Sequence, residues 1–170
     1  VSVNLLNQLK KRAEKINAWK DFSEKITLGR IIKSEEEVRI LQETINISDS
    51  AFNTVSKKIN IGMTEKDVAW EMEKEMRELG AESPSFDTIV ASGINGSKPH
   101  HSPTDKLINN NEAITIDMGA KYKGYCSDLT RTIFIGEPDE KFKKIYTTVL
   151  RAQLISMETA QPEMTGEEID

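Results

Sequence analysis

Cysteine is almost absent from this chain, and long apolar runs are missing altogether. The single Cys126 excludes an intramolecular disulfide and any cysteine-rich zinc site, as expected for a reducing compartment. No run of apolar residues is long enough to span a bilayer, and the first residues lack the apolar core and cleavage site of a signal peptide. These absences together predict a cytoplasmic protein.

An excess of positive charge is missing as well. The chain has 23 lysines and arginines against 28 aspartates and glutamates, a net charge of −5, and the two signs are interspersed. A nucleic-acid groove or a surface for anionic membranes needs a basic patch, so neither partner is expected. The 170 residues are enough to bury one hydrophobic core.

Several stretches of the sequence have the apolar periodicity of amphipathic helices. Ser34 with Glu37, and Thr64 with Asp67, form capping boxes that open two of them. The helices are predicted from Leu5 to Ile16, from Ser34 to Gly62, from Thr64 to Gly80, and through Tyr146 and Met157 to a point before Pro162.

Two segments with alternating apolar and polar residues, 113–119 and 128–134, predict strands joined by a turn at 121–124. If the hairpin is symmetric about the bond between Tyr122 and Lys123, Asp117 lies directly opposite Asp128. Long helices that alternate with hairpin strands predict an α+β domain, in which an antiparallel or mixed sheet is covered by long helices.

Two directly opposed carboxylates repel each other unless a cation lies between them. Carboxylate oxygens suit Mn, Mg, Co or Zn, and a carboxylate that bridges two such ions is the usual basis of two-metal hydrolases. Asp117 and Asp128 are therefore candidate metal ligands. The alternative, an exposed hairpin that carries two solvated acids, stays open on spacing alone.

The only histidines, His100 and His101, follow a loop of glycine, asparagine and proline at 93–99. Neighbouring residues of an extended loop point in opposite directions, so at most one imidazole is expected in a site. That imidazole could donate a hydrogen bond to a substrate or move a proton. A surface histidine without a role is the alternative.

Three motifs carry a resemblance to a known family. Residues 91–100 (ASGINGSKPH), 116–119 (IDMG) and 126–132 (CSDLTRT) resemble, in order and spacing, the pita-bread metallopeptidases of family M24, in the branch of the Xaa-Pro aminopeptidases and prolidases. Residues 30–37 are similar to the junction that opens their catalytic domain. The resemblance implies that 28–170 form the first half of a pita-bread (creatinase/aminopeptidase-like) domain, and that 1–27 end a smaller N-terminal domain and its connector.

The resemblance also implies roles for individual residues. Asp117 is similar to the bidentate ligand of one divalent ion, Asp128 to the ligand that bridges two ions, and His100 to the histidine that assists the tetrahedral intermediate. Two divalent ions are implied, with manganese as the first expectation and cobalt or zinc as alternatives. From strand alternation, Thr130 lies on the face of Asp128 and is expected to orient that carboxylate.

The implied reaction is hydrolysis of the bond between an N-terminal residue and proline. The expected substrate is a peptide with proline at the second position (Xaa-Pro aminopeptidase), and the alternative is a dipeptide (prolidase). The full-length protein is expected to form a homodimer. The family completes its site with a histidine and two glutamates, which are expected beyond Asp170, so these 170 residues alone are expected to be inactive. The start at Val1 and the end in an incipient helix indicate that both ends lie within a longer protein.

Three other interpretations remain. A methionine aminopeptidase is disfavoured because 30–37 and the preceding helix imply an N-terminal domain that those enzymes usually lack. A creatinase-like enzyme, which needs no metal, is disfavoured because both Asp117 and Asp128 are present. A non-catalytic peptide-binding module of the same fold is disfavoured for the same reason, since such modules are expected to have lost a ligand.

Overall fold

The computed structural model describes residues 2–13 and 21–169. The chain divides into two compact units, residues 1–38 and 39–170. In the first unit, helix α1 (Val3–Arg12) begins where the Ser2 hydroxyl accepts a hydrogen bond from the Leu5 amide. Helix α2 (Ser23–Ile31) follows. The predicted end of the first helix at Ile16 lies outside the described residues, and the proposed domain boundary at 27/28 stays a prediction.

The capping boxes lie where the sequence predicts them. The Ser34 hydroxyl accepts from the Glu37 amide and the Glu37 carboxylate from the Ser34 amide, and helix α3 (Glu35–Val55) follows. The same reciprocal pair joins Thr64 and Asp67 at the start of helix α4 (Glu65–Glu78). The remaining helices are α5 (Glu140–Thr159), α6 (Gly166–Ile169) and the 3₁₀ turns Ser56–Lys58 and Gly93–Ser97.

The strands form two small antiparallel sheets, which confirms the α+β class. One sheet has the order β1 (Ser83–Pro84), β4 (Ala120–Tyr122), β5 (Tyr125–Cys126). The other has the order β2 (Ile89–Ser92), β3 (Glu112–Met118), β6 (Leu129–Ile135). One long hairpin therefore contributes strands to both sheets. Its tip, β4 and β5, lies in the first sheet, and its stem, β3 and β6, lies in the second. The change of sheet lies between Met118 and Ala120 on one arm and around Ser127 on the other.

The predicted register of this hairpin is wrong by two residues. Tyr122 pairs with Tyr125, and Asp117 pairs with Thr130 instead of Asp128. The cause is the turn: Lys123 and Gly124 both have positive φ, 48° and 80°, so the chain reverses between them as in a type I′ turn. Asp117 and Asp128 remain on one face because a shift of two preserves the side-chain alternation.

The hydrophobic core of the second unit lies between helices α3 and α4 and the sheet of β2, β3 and β6. Alternate residues of β3 point into it, with helix residues spaced three or four apart. Its fully buried members include Ala51, Val68, Met72, Met76, Val90, Ile108, Ile114, Ile116 and Met118. Among the residues described, no helix is both long and apolar enough to cross a membrane.

Candidate functional site

An open cleft of about 440 Å³ lies beside the β2–β3–β6 sheet. It contains both aspartates and both histidines that the sequence singled out. Its lining residues are Phe86, Asp87, Ile89, His100, His101, Ser102, Asp117 and Asp128. The fold thus brings together side chains that are far apart along the chain.

Asp117 is held in the middle of the sheet. It is half-buried on β3, with Ile89 of β2 as its neighbour on one side and Thr130 of β6 on the other. The Thr130 hydroxyl donates a hydrogen bond to Asp117 Oδ1 at 2.9 Å. Strand alternation predicted that Thr130 would orient Asp128. In the observed register Thr130 pairs with Asp117 and hydrogen-bonds to that carboxylate. Asp117 also lines the cleft.

Asp128 directly follows Ser127, whose backbone is held by several hydrogen bonds. The neighbouring Ser127 exchanges hydrogen bonds with Ala120, its amide donating to the carbonyl and its hydroxyl accepting from the amide, each at 2.9 Å. The Ser85 hydroxyl donates to the Ser127 carbonyl at 2.8 Å, and the hydroxyls of Ser48 and Ser127 are in contact. A Cβ at Gly119 would collide with that carbonyl, so only glycine fits there. The Asp128 side chain itself is exposed.

The two histidines differ in exposure and in their partners. Both line the cleft, contrary to the expectation that only one would reach a site. His100 is exposed, whereas the His101 side chain is only 6% exposed and its Nε2 lies 2.8 Å from Oε2 of Glu65. His101 is therefore committed to a partner inside the protein, and His100 is the imidazole available to a ligand.

Glu65 is a buried carboxylate that the sequence analysis missed. It is the first residue of α4, where an acid is ordinarily a solvated partner of the helix dipole. Its side chain has no exposed surface. Burial alone would raise its pKa, but hydrogen bonds from Asn95, His101, Ser92 and Thr104 outweigh burial and hold the pKa well below the ordinary value. The carboxylate is thus ionised, and no local pattern in the sequence distinguishes it from the neighbouring surface acids.

Asp87 is a residue of the cleft that was not predicted from the sequence. It is exposed, two residues before Ile89, and adds a third carboxylate to the cleft lining. Only the pairing of Ile89 with Asp117 shows that it comes near the hairpin.

The donor chemistry of the cleft fits a hard divalent cation. Asp117 and Asp128 present carboxylate oxygens from one face of the hairpin, and such ligands suit Mn²⁺ or Mg²⁺. Within residues 2–13 and 21–169, no group of three or more histidine, cysteine, aspartate or glutamate side chains is placed to hold a metal ion. Two carboxylates alone are too few to complete a coordination sphere for such an ion.

Comparison with known proteins identifies the family. Residues 39–170 match metallopeptidase family M24. The chain belongs to this family. It is 46% identical over 148 residues to the uncharacterized peptidase YqhT of Bacillus subtilis, a match that covers 87% of this chain and 42% of that protein.

Solved structures of M24 relatives share the fold. The X-Pro aminopeptidase from Thermotoga maritima superposes with a TM-score of 0.92 at 36% identity, covering 100% of this chain and 48% of that one. The prolidase from Pyrococcus horikoshii superposes with a TM-score of 0.94 at 41% identity, covering 100% of this chain and 49% of that one. The pita-bread expectation is confirmed. The chain spans about half the length of the M24 relatives it matches.

Proposed function

We propose that the protein is a metal-dependent peptidase that cleaves the bond between an N-terminal residue and proline. The observation that carries the proposal is the convergence of Asp117, Asp128 and His100 on one cleft. Membership of family M24 supports the reaction class, and the similarity to an X-Pro aminopeptidase and a prolidase supports the substrate class.

Each residue has a separate task in this proposal. Asp117 and Asp128 hold the divalent ions, and Thr130 orients the Asp117 carboxylate through its hydrogen bond to Oδ1. Bound divalent ions supply a water of lowered pKa and polarise the scissile carbonyl. His100, exposed at the cleft, donates a hydrogen bond to the carbonyl oxygen as it gains negative charge.

The cleft contains only part of the ligand set, and this limits what the chain can do alone. Two carboxylates bind a transition metal weakly, and the described residues offer no third ligand in a cluster with them. We therefore propose that a histidine and two glutamates from elsewhere in the protein complete a two-ion site, with manganese as the native metal. Residues 1–170 by themselves are then inactive. The homodimer and the cytoplasmic location belong to the same proposal.

Substrate length separates the two forms of the proposal. We favour the aminopeptidase, which accepts Ala-Pro-Ala, over the dipeptidase, which accepts only Ala-Pro. The test is to incubate the full-length protein, in manganese, with these two peptides and with Ala-Ala-Ala as a control. We expect release of alanine from Ala-Pro-Ala and none from Ala-Ala-Ala. Cleavage of Ala-Pro alone would identify the dipeptidase, and no cleavage of either proline peptide would contradict the proposal.

A non-catalytic peptide-binding module of the same fold is the alternative from another class. The retention of both carboxylates in the cleft disfavours it. Such a module would contain no stoichiometric metal, and its metal content would not respond to Asp117→Asn or Asp128→Asn.

A further inference from the structure

The carboxylate of Glu65 accepts hydrogen bonds from six donors at once. Oε1 accepts from the amide and hydroxyl of Ser92, both at 2.8 Å, and from Nδ2 of Asn95 at 3.0 Å. Oε2 accepts from the hydroxyl and amide of Thr104, at 2.7 and 3.1 Å, and from Nε2 of His101 at 2.8 Å. Helix α4 thus places one charge at the centre of a polar cluster.

These donors come from both ends and the interior of a single loop. Ser92 ends strand β2, Asn95 lies in the following 3₁₀ turn, and His101 and Thr104 lie beyond it. One side chain therefore closes the loop 93–103 on itself. His100 lies between two of the anchors, Asn95 and His101.

His100 has no comparable anchor of its own. Within the described part of the chain, its imidazole makes no hydrogen bond or ion pair. The backbone on either side must therefore set where the ring lies, and on its C-terminal side that backbone is fixed by His101. Because Glu65 can only accept, Nε2 of His101 carries the proton of their hydrogen bond.

Lys106 fixes the direction of the hydrogen bond from the Ser92 hydroxyl. Its Nζ lies 2.8 Å from Ser92 Oγ and 2.9 Å from both carboxylate oxygens of Glu112. An ammonium group can only donate, so the hydroxyl accepts from Lys106 and turns its own proton toward Glu65. The loop is adapted to a negative charge at position 65.

We propose that Glu65 is a positioning residue that holds His100 at the cleft of Asp117 and Asp128 by closing the 93–103 loop around its charge. The inference rests on the proposed function for the role of His100, and it adds a residue that does not itself touch the substrate. The carboxylate acts on catalysis only through the loop. None of these six hydrogen bonds comes from the hairpin that carries Asp117 and Asp128.

The test is Glu65→Gln in the full-length protein, combined with His100→Ala in a double-mutant cycle. Glutamine keeps the shape but turns an amide donor toward groups that are themselves donors. We expect kcat for Ala-Pro-Ala to fall on the order of 10²-fold, the effect of a misplaced catalytic group, with manganese content unchanged. In the His100→Ala background, the same substitution should change kcat less than about 3-fold, because the group it positions is gone.

Two further variants separate positioning from folding. Asp67→Asn weakens the capping box on the same helix turn without touching the loop, so it should lower the melting temperature but not kcat. Glu65→Asp retains the charge with a shorter reach and should recover part of the lost kcat. Equal effects of Glu65→Gln in both backgrounds, or a kcat that follows melting temperature across all variants, would overturn the proposal.

Hydrogen exchange tests the role of Glu65 without measuring catalysis, so its result does not depend on the proposed peptidase activity. Amide hydrogen exchange of residues 93–104 should accelerate more than 10-fold in Glu65→Gln and not in Asp67→Asn. Unchanged exchange would overturn the loop-closing role. A wild-type protein that cleaves neither proline peptide would contradict the peptidase function. The exchange measurement would still decide whether Glu65 closes the loop 93–103.

Discussion

The hydrogen bond from Thr130 to Asp117 is a contact in the site whose contribution can be isolated by one substitution. Removing a group that orients a metal ligand typically costs 10- to 100-fold in metal affinity. In Thr130→Val we expect manganese to bind the full-length protein roughly 10-fold more weakly by titration calorimetry. Thr130→Ser, which keeps the hydroxyl, should bind like the wild type.

Thr132 provides a matched control on the same strand face. Its hydroxyl lies 3.5 Å from that of Thr115, its partner on β3, two positions along the ladder from the pair of Asp117 and Thr130. Thr132→Val removes a hydroxyl of the same kind without touching a proposed ligand, so manganese affinity should stay at the wild-type value. Equal losses in both valine variants would show that β6 is merely destabilised and that Thr130 does not orient the ligand.

At the residue scale, the sequence motifs contain side chains that the fold brings together in the cleft, whereas contacts between distant residues leave no local signal. Asp117, Asp128 and His100 belong to motifs and all line the cleft. The sequence does not identify Glu65, because an acid in the first turn of a helix, beside a capping box, is ordinarily a surface residue. Its hydrogen-bond partners, Ser92, His101 and Thr104, come close to it only in the folded structure. Thr130 was found, but with the wrong partner.

The hairpin tip is the element that determines which residues face each other in the site. Its register follows from two consecutive residues with positive φ, Lys123 and Gly124. A non-glycine residue in this conformation costs about 1 kcal/mol. A turn one residue earlier, about the bond between Tyr122 and Lys123, would place Asp117 opposite Asp128. Lys-Gly is a weaker type I′ signal than Asn-Gly, and apolar alternation alone does not distinguish registers that differ by two.

Substitution of Gly124 tests whether this turn is under conformational constraint. A Cβ there would meet no atom within 4 Å, so any cost of Gly124→Ala is conformational and not steric crowding. We expect the free energy of unfolding to fall by about 1 kcal/mol in urea denaturation. Gly124→Asn, although larger, should cost less because asparagine tolerates positive φ. A greater loss with asparagine than with alanine would contradict the assigned turn.

The starts of the two capped helices were predicted more accurately than the pairing of the strands. The capping boxes at Ser34 and Thr64 place the starts of α3 and α4 to within a residue, because each is a local interaction between side chains and amides three residues apart. Strand pairing depends on residues far apart in sequence. The division of one hairpin between two sheets, at Gly119 and Ser127, has no counterpart in the local pattern.

At the scale of the whole molecule, the chain is an M24 segment that places two carboxylates and a histidine in one cleft and spans about half the length of its relatives. The α+β class and the family followed from the sequence. The proposed two-ion site needs further donors, and the described residues do not gather them.

The most direct measurement is the metal dependence of Ala-Pro-Ala cleavage by the full-length protein, with metal content determined on the same samples. After chelation and dialysis, activity should be lost and then restored by manganese at about two ions per chain. Asp128→Asn should remove both the bound ions and the activity, because it is the proposed bridging ligand. Undiminished cleavage after complete removal of metal, or unchanged metal content in Asp128→Asn, would contradict the account.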